Sequence, residues 1–160
     1  MAAGVVSFFL LMSGALGAAQ PVCSSCPGEM RNVSEVGRRC EAAPGARIEG
    51  RCCVTGNNTV IGLDLHNCSI SHLDRAALPL TAVLAVMDLS QNPLQDLSDD
   101  MFQGLIGLEY IALPPNISCP GGEGSWRTVN TSDDARICQG QRDVCNDTAE
   151  PTMLCPENSL

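Results

Sequence analysis

The sequence contains no lysine: all nine basic residues are arginine, set against eighteen Asp and Glu for a formal net charge of −9. Without a basic run, counterion release cannot hold the chain to nucleic acid or anionic lipid, which leaves proteins, basic ligands or cations as partners. Aromatic residues are almost as scarce, at 3 %, with Tyr110 the one tyrosine and Trp126 the one tryptophan. A chain this poor in large side chains has difficulty building a core without covalent staples. After the N-terminus, no stretch approaches the roughly 18 apolar residues of a membrane span. Missing too are G-x-S-x-G, H-E-x-x-H and a phosphate loop. The paired carboxylates Asp99/Asp100 and Asp133/Asp134 fall where loops or helix starts are expected, and a helix N-terminus favours negative charge there. The residues therefore point away from an enzyme and imply no cofactor or metal.

What the sequence has in quantity is cysteine, ten in all: Cys23, Cys26, Cys40, Cys52, Cys53, Cys68, Cys119, Cys138, Cys145 and Cys155. That density belongs to an oxidising compartment, where each bridge contributes about 2–4 kcal/mol. Residues 1–19 read as a signal peptide, with the apolar core VVSFFLLM and small residues before Gln20, although no Lys or Arg precedes the core. The mature chain is then expected in the secretory lumen or outside the cell. Asn-X-Ser/Thr acceptors at Asn32, Asn57, Asn67, Asn116, Asn130 and Asn146 describe a glycoprotein surface.

Three apolar pairs, Leu63/Leu65, Met87/Leu89 and Ile111/Leu113, recur with a 24-residue period. The period and the pattern L-x-x-L-x-L-x-x-N/C-x-L are those of leucine-rich repeats. The units run Val60, Leu63, Leu65, Cys68, Ile70; then Leu84, Met87, Leu89, Asn92, Leu94; then Leu108, Ile111, Leu113, Asn116. Leu97, Phe102 and Leu105 complete the outer side of the second unit, whereas the first has Leu78 but a polar Thr81 and should be looser. Such units cannot bury their apolar faces alone, so they stack with parallel strands and need covered ends. The expected architecture is an α/β solenoid-like stack: N-terminal cap 20–59, repeats 60–118, C-terminal cap 119–144.

Cys68 and Asn116 occupy the turn position where an inward side chain satisfies buried backbone groups. Cys68 is read as a buried ladder thiol, with pairing the alternative that cysteine number raises. Asn116 is read as unglycosylated, because a buried ladder asparagine cannot carry a glycan; the five other acceptors are taken as glycosylated. Cys23, Cys26, Cys40, Cys52, Cys53, Cys119 and Cys138 are assigned to disulfides in the caps. In the CSSC motif at 23–26 disulfides are favoured over zinc or redox chemistry, and the neighbours Cys52 and Cys53 should each reach elsewhere.

Residues flanking the inward pairs should form a concave face. Asp64, His66, Asp88, Ser90 and Tyr110 on that face are the candidate protein-binding residues, with Asp64 and Asp88 side by side on paired strands. The plain alternative makes the aspartates solvated consensus residues and His66 an exposed histidine without a role. Trp126 is read as packing within the C-terminal cap.

Residues 145–160, CNDTAEPTMLCPENSL, look like the opening of an EGF-like module. Together with CSSCPG, RCCV, IGLDLHNCS, MDLSQNPL, SCPGG, ICQGQRDVCND and MLCPEN, they make the chain resemble the all-trans retinoic acid-induced differentiation factor (apoptosis-related protein 3) family. The resemblance implies a type I membrane glycoprotein with short leucine-rich repeats, an EGF-like module and one transmembrane helix. The present chain reads as a short form, a secreted or luminal isoform or an incomplete gene model, without the anchor that places family members at the nuclear envelope, plasma membrane or lysosomal membrane. In an EGF-like module, Cys145 and Cys155 would pair with cysteines further on; in this short form the alternatives are a bridge to each other, free thiols or bridges to other chains.

What the family implies is non-enzymatic: control of osteoblast differentiation, mineralisation and proliferation, through a Nel-like secreted factor or a lysosomal transporter as partner. No binding residue carries over. The alternatives are a secreted decoy or inhibitor competing with the anchored form, and a small extracellular hydrolase.

Overall fold

The computed structural model describes residues 21–31, 33–75, 82–98 and 100–142. The signal segment, Asn32, Leu78, Thr81, Cys145, Asn146 and Cys155 lie outside the described residues.

Among the described residues, seven strands form one sheet: β1 (Arg47–Glu49), β2 (Cys52–Val54), β3 (Val60–Asp64), β4 (Val86–Asp88), β5 (Tyr110–Leu113), β6 (Trp126–Thr131) and β7 (Arg136–Gln141), in the order β1-β2-β3-β4-β5-β7-β6. The repeat strands β3, β4 and β5 are parallel and in register at the 24-residue period, with Leu63 opposite Met87 and Met87 opposite Ile111. All three side chains are fully buried, as are Leu65, Leu89 and Leu113 to within 1 %. The architecture is therefore the short leucine-rich repeat that the spacing demands.

A parallel sheet leaves unpaired backbone at both edges, and each edge is closed by an antiparallel hairpin. The β1–β2 hairpin pairs with β3 and the β6–β7 hairpin pairs with β5. The first hairpin turns at Gly50, whose φ of +57° and 2.3 Å approach of a Cβ to the Cys23 carbonyl admit only glycine.

Side chains alternate between the faces of a strand, which explains the Cys52-Cys53 dipeptide. Cys52 points to the core and bonds Cys23; Cys53 points to the opposite face and bonds Cys40. One strand is thus stapled on both sides. Cys119–Cys138 closes the C-terminal cap, where Trp126 is buried and its indole Nε1–H donates to Pro120 O at 2.8 Å.

Cys68 is half of a bridge to Cys26, which corrects its reading as a ladder thiol. The bridge ties the first repeat to the N-terminal cap, and the loop-entropy estimate for its 42-residue separation is about 4 kcal/mol. Asn92 acts as the ladder residue for that turn. Its Oδ1 accepts from the N–H groups of Cys68 and Ile70 at 2.9 and 3.0 Å, and its Nδ2 donates to the carbonyls of Leu65 and Leu89 at 2.8 Å each. Asn116 keeps only a remnant of this pattern: its Nδ2 donates to Leu94 O at 3.0 Å and Gln95 O at 3.4 Å, and the residue is exposed. The burial premise that set Asn116 apart from the other acceptors does not hold.

The helix α1 (Glu35–Ala42) is the element that the sequence reading did not anticipate. Ser34 Oγ caps it by accepting from Gly37 N at 2.9 Å. Glu35 pairs with Arg38 and Arg39 across one turn. Val36, Gly37 and Cys40 make its buried stripe, packed against β1, β2, β3 and β4.

Candidate functional site

The face of the sheet opposite the leucine core carries Gly62, Asp64, Val86, Asp88, Tyr110 and Ala112, in rows fixed by the register Gly62–Val86–Tyr110 and Asp64–Asp88–Ala112. This is the face expected to stand open, and over its N-terminal part it does not. Val36 of α1, fully buried, packs with Met30, Val86, Tyr110 and Ala112 as a second small core. Gly62 is the floor on which the helix sits: a Cβ there would lie 3.0 Å from Val36 Cγ1, Val86 Cγ1 and Cys53 Cβ. The Cys40–Cys53 bridge fastens the helix to the same spot.

Four of the five candidate binding residues are accordingly buried: Asp64 at 0 %, Ser90 at 5 %, Asp88 at 7 % and Tyr110 at 8 % exposure. The solvated aspartates of the plain reading are corrected as well. Asp64 and Asp88 do face each other on paired strands, and arginine answers the repulsion that this creates. Arg31 reaches from the cap to Asp88 Oδ2 at 3.1 Å and to Asp64 Oδ1 at 3.5 Å, while Arg51 approaches Asp64 Oδ2 at 4.0 Å. Two buried carboxylates without these cations would cost several kcal/mol. Neither Arg31 nor Arg51 was singled out in the sequence, because each acts through a strand register that only the fold supplies. The signal in the sequence was two aspartates one period apart, Asp64 and Asp88, with arginines in the cap to balance them.

His66, Ser90 and Asp88 form a short chain of polar contacts. Ser90 N–H and Oγ both donate to Asp88 Oδ1, at 2.9 and 2.6 Å, and His66 Nδ1 lies 2.9 Å from Ser90 Oγ. The serine hydroxyl commits its proton to the carboxylate and accepts from the imidazole N–H. A nucleophilic serine needs the opposite order, donating to histidine, so this chain braces the ends of β3 and β4. Tyr110 lies at the border of the covered region, with the Arg39 guanidinium 5.4 Å from its ring centroid. Burial, followed by the negative charge of Asp88, raises its pKa above the ordinary 10.0.

Beyond Tyr110 the same face continues uncovered. The register sets Gln139 and Thr128 in the row of Tyr110, and Ile137 and Asn130 in the row of Ala112. Thr128 and Asn130 are exposed; Ile137 and Gln139 are half-buried. The other described acceptors are also at the surface: Asn57 lies in the β2–β3 turn and Asn67 in the turn after β3. All seven cysteines assigned to disulfides are in bridges, and no described cysteine is free. Among the described residues no group of His, Cys, Asp and Glu could hold a metal ion, and no helix is long and apolar enough to cross a membrane.

Comparison with known proteins agrees with this architecture. The Leucine rich repeat family model matches residues 60–116. Three curated relatives carry the name all-trans retinoic acid-induced differentiation factor. That of Danio rerio is 42 % identical over 143 residues, covering 87 % of this chain and 60 % of its own length. That of Mus musculus is 43 % identical over 138 residues, with 86 % and 60 % covered. That of Homo sapiens is 36 % identical over 137 residues, with 86 % and 59 % covered. The chain thus spans about three-fifths of the length of these relatives. No solved structure matches it.

Proposed function

We propose, on the premise that this chain belongs to the all-trans retinoic acid-induced differentiation factor family, that it is a non-enzymatic protein-binding module acting in the control of cell differentiation. The repeat architecture supports a binding role, because stacked short strands present a continuous surface whose side chains are free to vary. Four disulfides support an oxidising compartment, in the secretory pathway or outside the cell. The finer reading is regulation of osteoblast differentiation and mineralisation, with a Nel-like secreted factor or a lysosomal transporter as partner, and it comes from the family resemblance.

The observation that carries the choice of surface is the position of α1. With Tyr110 against α1, and Asp64, Asp88 and Ser90 buried among the cap's arginines and their own hydrogen bonds, a partner meets the continuation of that face, the strip of Thr128, Gln139 and Ile137, bordered at Tyr110 by Arg39. The test is saturable binding of the disulfide-intact chain to osteoblast-lineage cells. Thr128→Arg combined with Gln139→Arg should abolish binding, whereas Glu41→Arg on the exposed side of α1 should leave it intact. Full binding by the double variant would move the surface elsewhere. Absence of any saturable binding would remove the module reading itself.

A further inference from the structure

The sequon Asn67-Cys68-Ser69 has half of a disulfide as its middle residue, and we propose that glycan addition at Asn67 competes with closure of the Cys26–Cys68 bridge, so that the order of the two events sets the occupancy of this site. The inference rests on the secretory reading given above.

In the folded chain the first two residues of the sequon are held, and the third shares their turn. Asn67 and Ser69 have left-handed backbone, with φ of 52° and 57°. The Asn67 N–H donates to Ser90 O at 3.1 Å, the Cys68 N–H donates to Asn92 Oδ1 at 2.9 Å, and Cys68 Sγ is bonded to Cys26. A glycosyltransferase must take an acceptor as a free, extended segment that lets the Ser69 hydroxyl stand beside the Asn67 carboxamide. A turn fixed at Asn67 and Cys68, with left-handed backbone at Asn67 and Ser69, cannot supply that segment.

Chain order decides which restraint arrives first. Ser90 and Asn92 lie 23 and 25 residues beyond Asn67, so their hydrogen bonds wait for the second repeat. Cys26 lies 42 residues before Cys68 and is already available when the sequon emerges. At about 5–20 residues per second, synthesis of the second repeat takes on the order of seconds, comparable with the fastest disulfide formation. The two reactions therefore share a window.

Each reaction is complete with ordinary luminal reagents. In one, Asn67 Nδ2 attacks the anomeric carbon of an oligosaccharide carried on a lipid pyrophosphate; the carbon–oxygen bond to the pyrophosphate breaks, the lipid pyrophosphate leaves, and the amide loses a proton. In the other, the thiols of Cys26 and Cys68 give up two protons and two electrons to the disulfide of an oxidoreductase, which becomes a dithiol. The competition runs one way. Asn67 is exposed, so a glycan added first projects into solvent and permits the bridge to close afterwards, whereas a bridge closed first shuts out the transferase.

Asn57 is the internal reference, an exposed acceptor in the β2–β3 turn whose neighbours Asn58 and Thr59 form no bridge. The full chain is expressed in secretory cells, and occupancy at Asn57 and Asn67 is read by enzymatic glycan release in heavy-oxygen water followed by peptide mass analysis. In the unmodified chain Asn67 should be occupied in only a fraction of molecules relative to Asn57, and Cys26→Ser should raise it to parity. Cys40→Ser removes a different bridge and controls for slower folding; it should leave the Asn67 fraction where it was. Equal Asn67 occupancy with and without Cys26, or an equal rise in Cys40→Ser, overturns the competition. A chain unglycosylated at Asn57 as well overturns the secretory reading, and this inference with it.

Discussion

The two ends of the sheet solve one problem with unequal means. Each closes an edge of the parallel repeat with an antiparallel hairpin, but the N-terminal end adds three bridges, a helix and an arginine-clamped pair of carboxylates, while the C-terminal end adds one bridge and the buried Trp126. The N-terminal cap covers both faces of the strands it meets; the C-terminal cap leaves one open. An edge thus needs only a hairpin, and what lies on the faces determines where the repeat remains available to a partner.

Removal of bridges is the largest test of that asymmetry. The pair Cys26→Ala/Cys68→Ala opens the 42-residue separation and should cost about 4 kcal/mol, against about 3 kcal/mol for Cys119→Ala/Cys138→Ala with its separation of 19. Denaturant unfolding of the two double variants measures both. A larger loss at the C-terminal end would reverse the comparison.

The asparagine ladder sharpens it at the next scale down. Asn92→Ala leaves two N–H groups and two carbonyls without their partner and should destabilise by about 3 kcal/mol, whereas Asn116→Ala at an exposed turn should cost about 1 kcal/mol or less. Equal losses would mean that the ladder is intact to its end.

How far the sequence spoke follows the same division. The 24-residue period determines the pairing of Leu63, Met87 and Ile111, because apolar alternation and strand register are one physical fact seen twice. The alternation of faces also separates the partners of Cys52 and Cys53. The cover on the inner face was not legible. Helix α1 has only eight residues with Val36 and Cys40 as its apolar marks, too short a stripe to stand out, and its site over Gly62 depends on contacts across the chain. The burial of Tyr110 goes with that helix and that of Asp64 and Asp88 with Arg31 and Arg51 of the cap, and the consensus look of LDLH and MDLS concealed both. Cys68 was misread because a ladder slot and a disulfide make the same demand, a small inward side chain.

Gly62 tests the cover directly. Gly62→Ala places a methyl 3.0 Å from three side-chain atoms and should destabilise by about 2 kcal/mol, while loosening α1 enough to increase amide exchange over residues 35–42. Thr128→Ala on the uncovered strip should change stability by less than about 0.5 kcal/mol. A silent Gly62→Ala would show that the helix does not rest where the strand register places it.

The smallest effect lies on the boundary itself. Tyr110 is the one tyrosine of the chain, so absorbance of its phenolate reports this position alone. Burial, with the charge of Asp88 second, holds its pKa above 10.0, against the opposing pull of Arg39, Arg38 and Arg31. A raised folded-state pKa means that the neutral phenol is the form the fold favours. The contribution to stability is therefore fully present below pH 10.0 and is lost as pH rises through the folded value. Asp88→Asn should lower the midpoint of the titration, and Arg39→Ala should raise it further. If the folded and unfolded chains titrate together, Tyr110 is solvated and the covered region ends at β4.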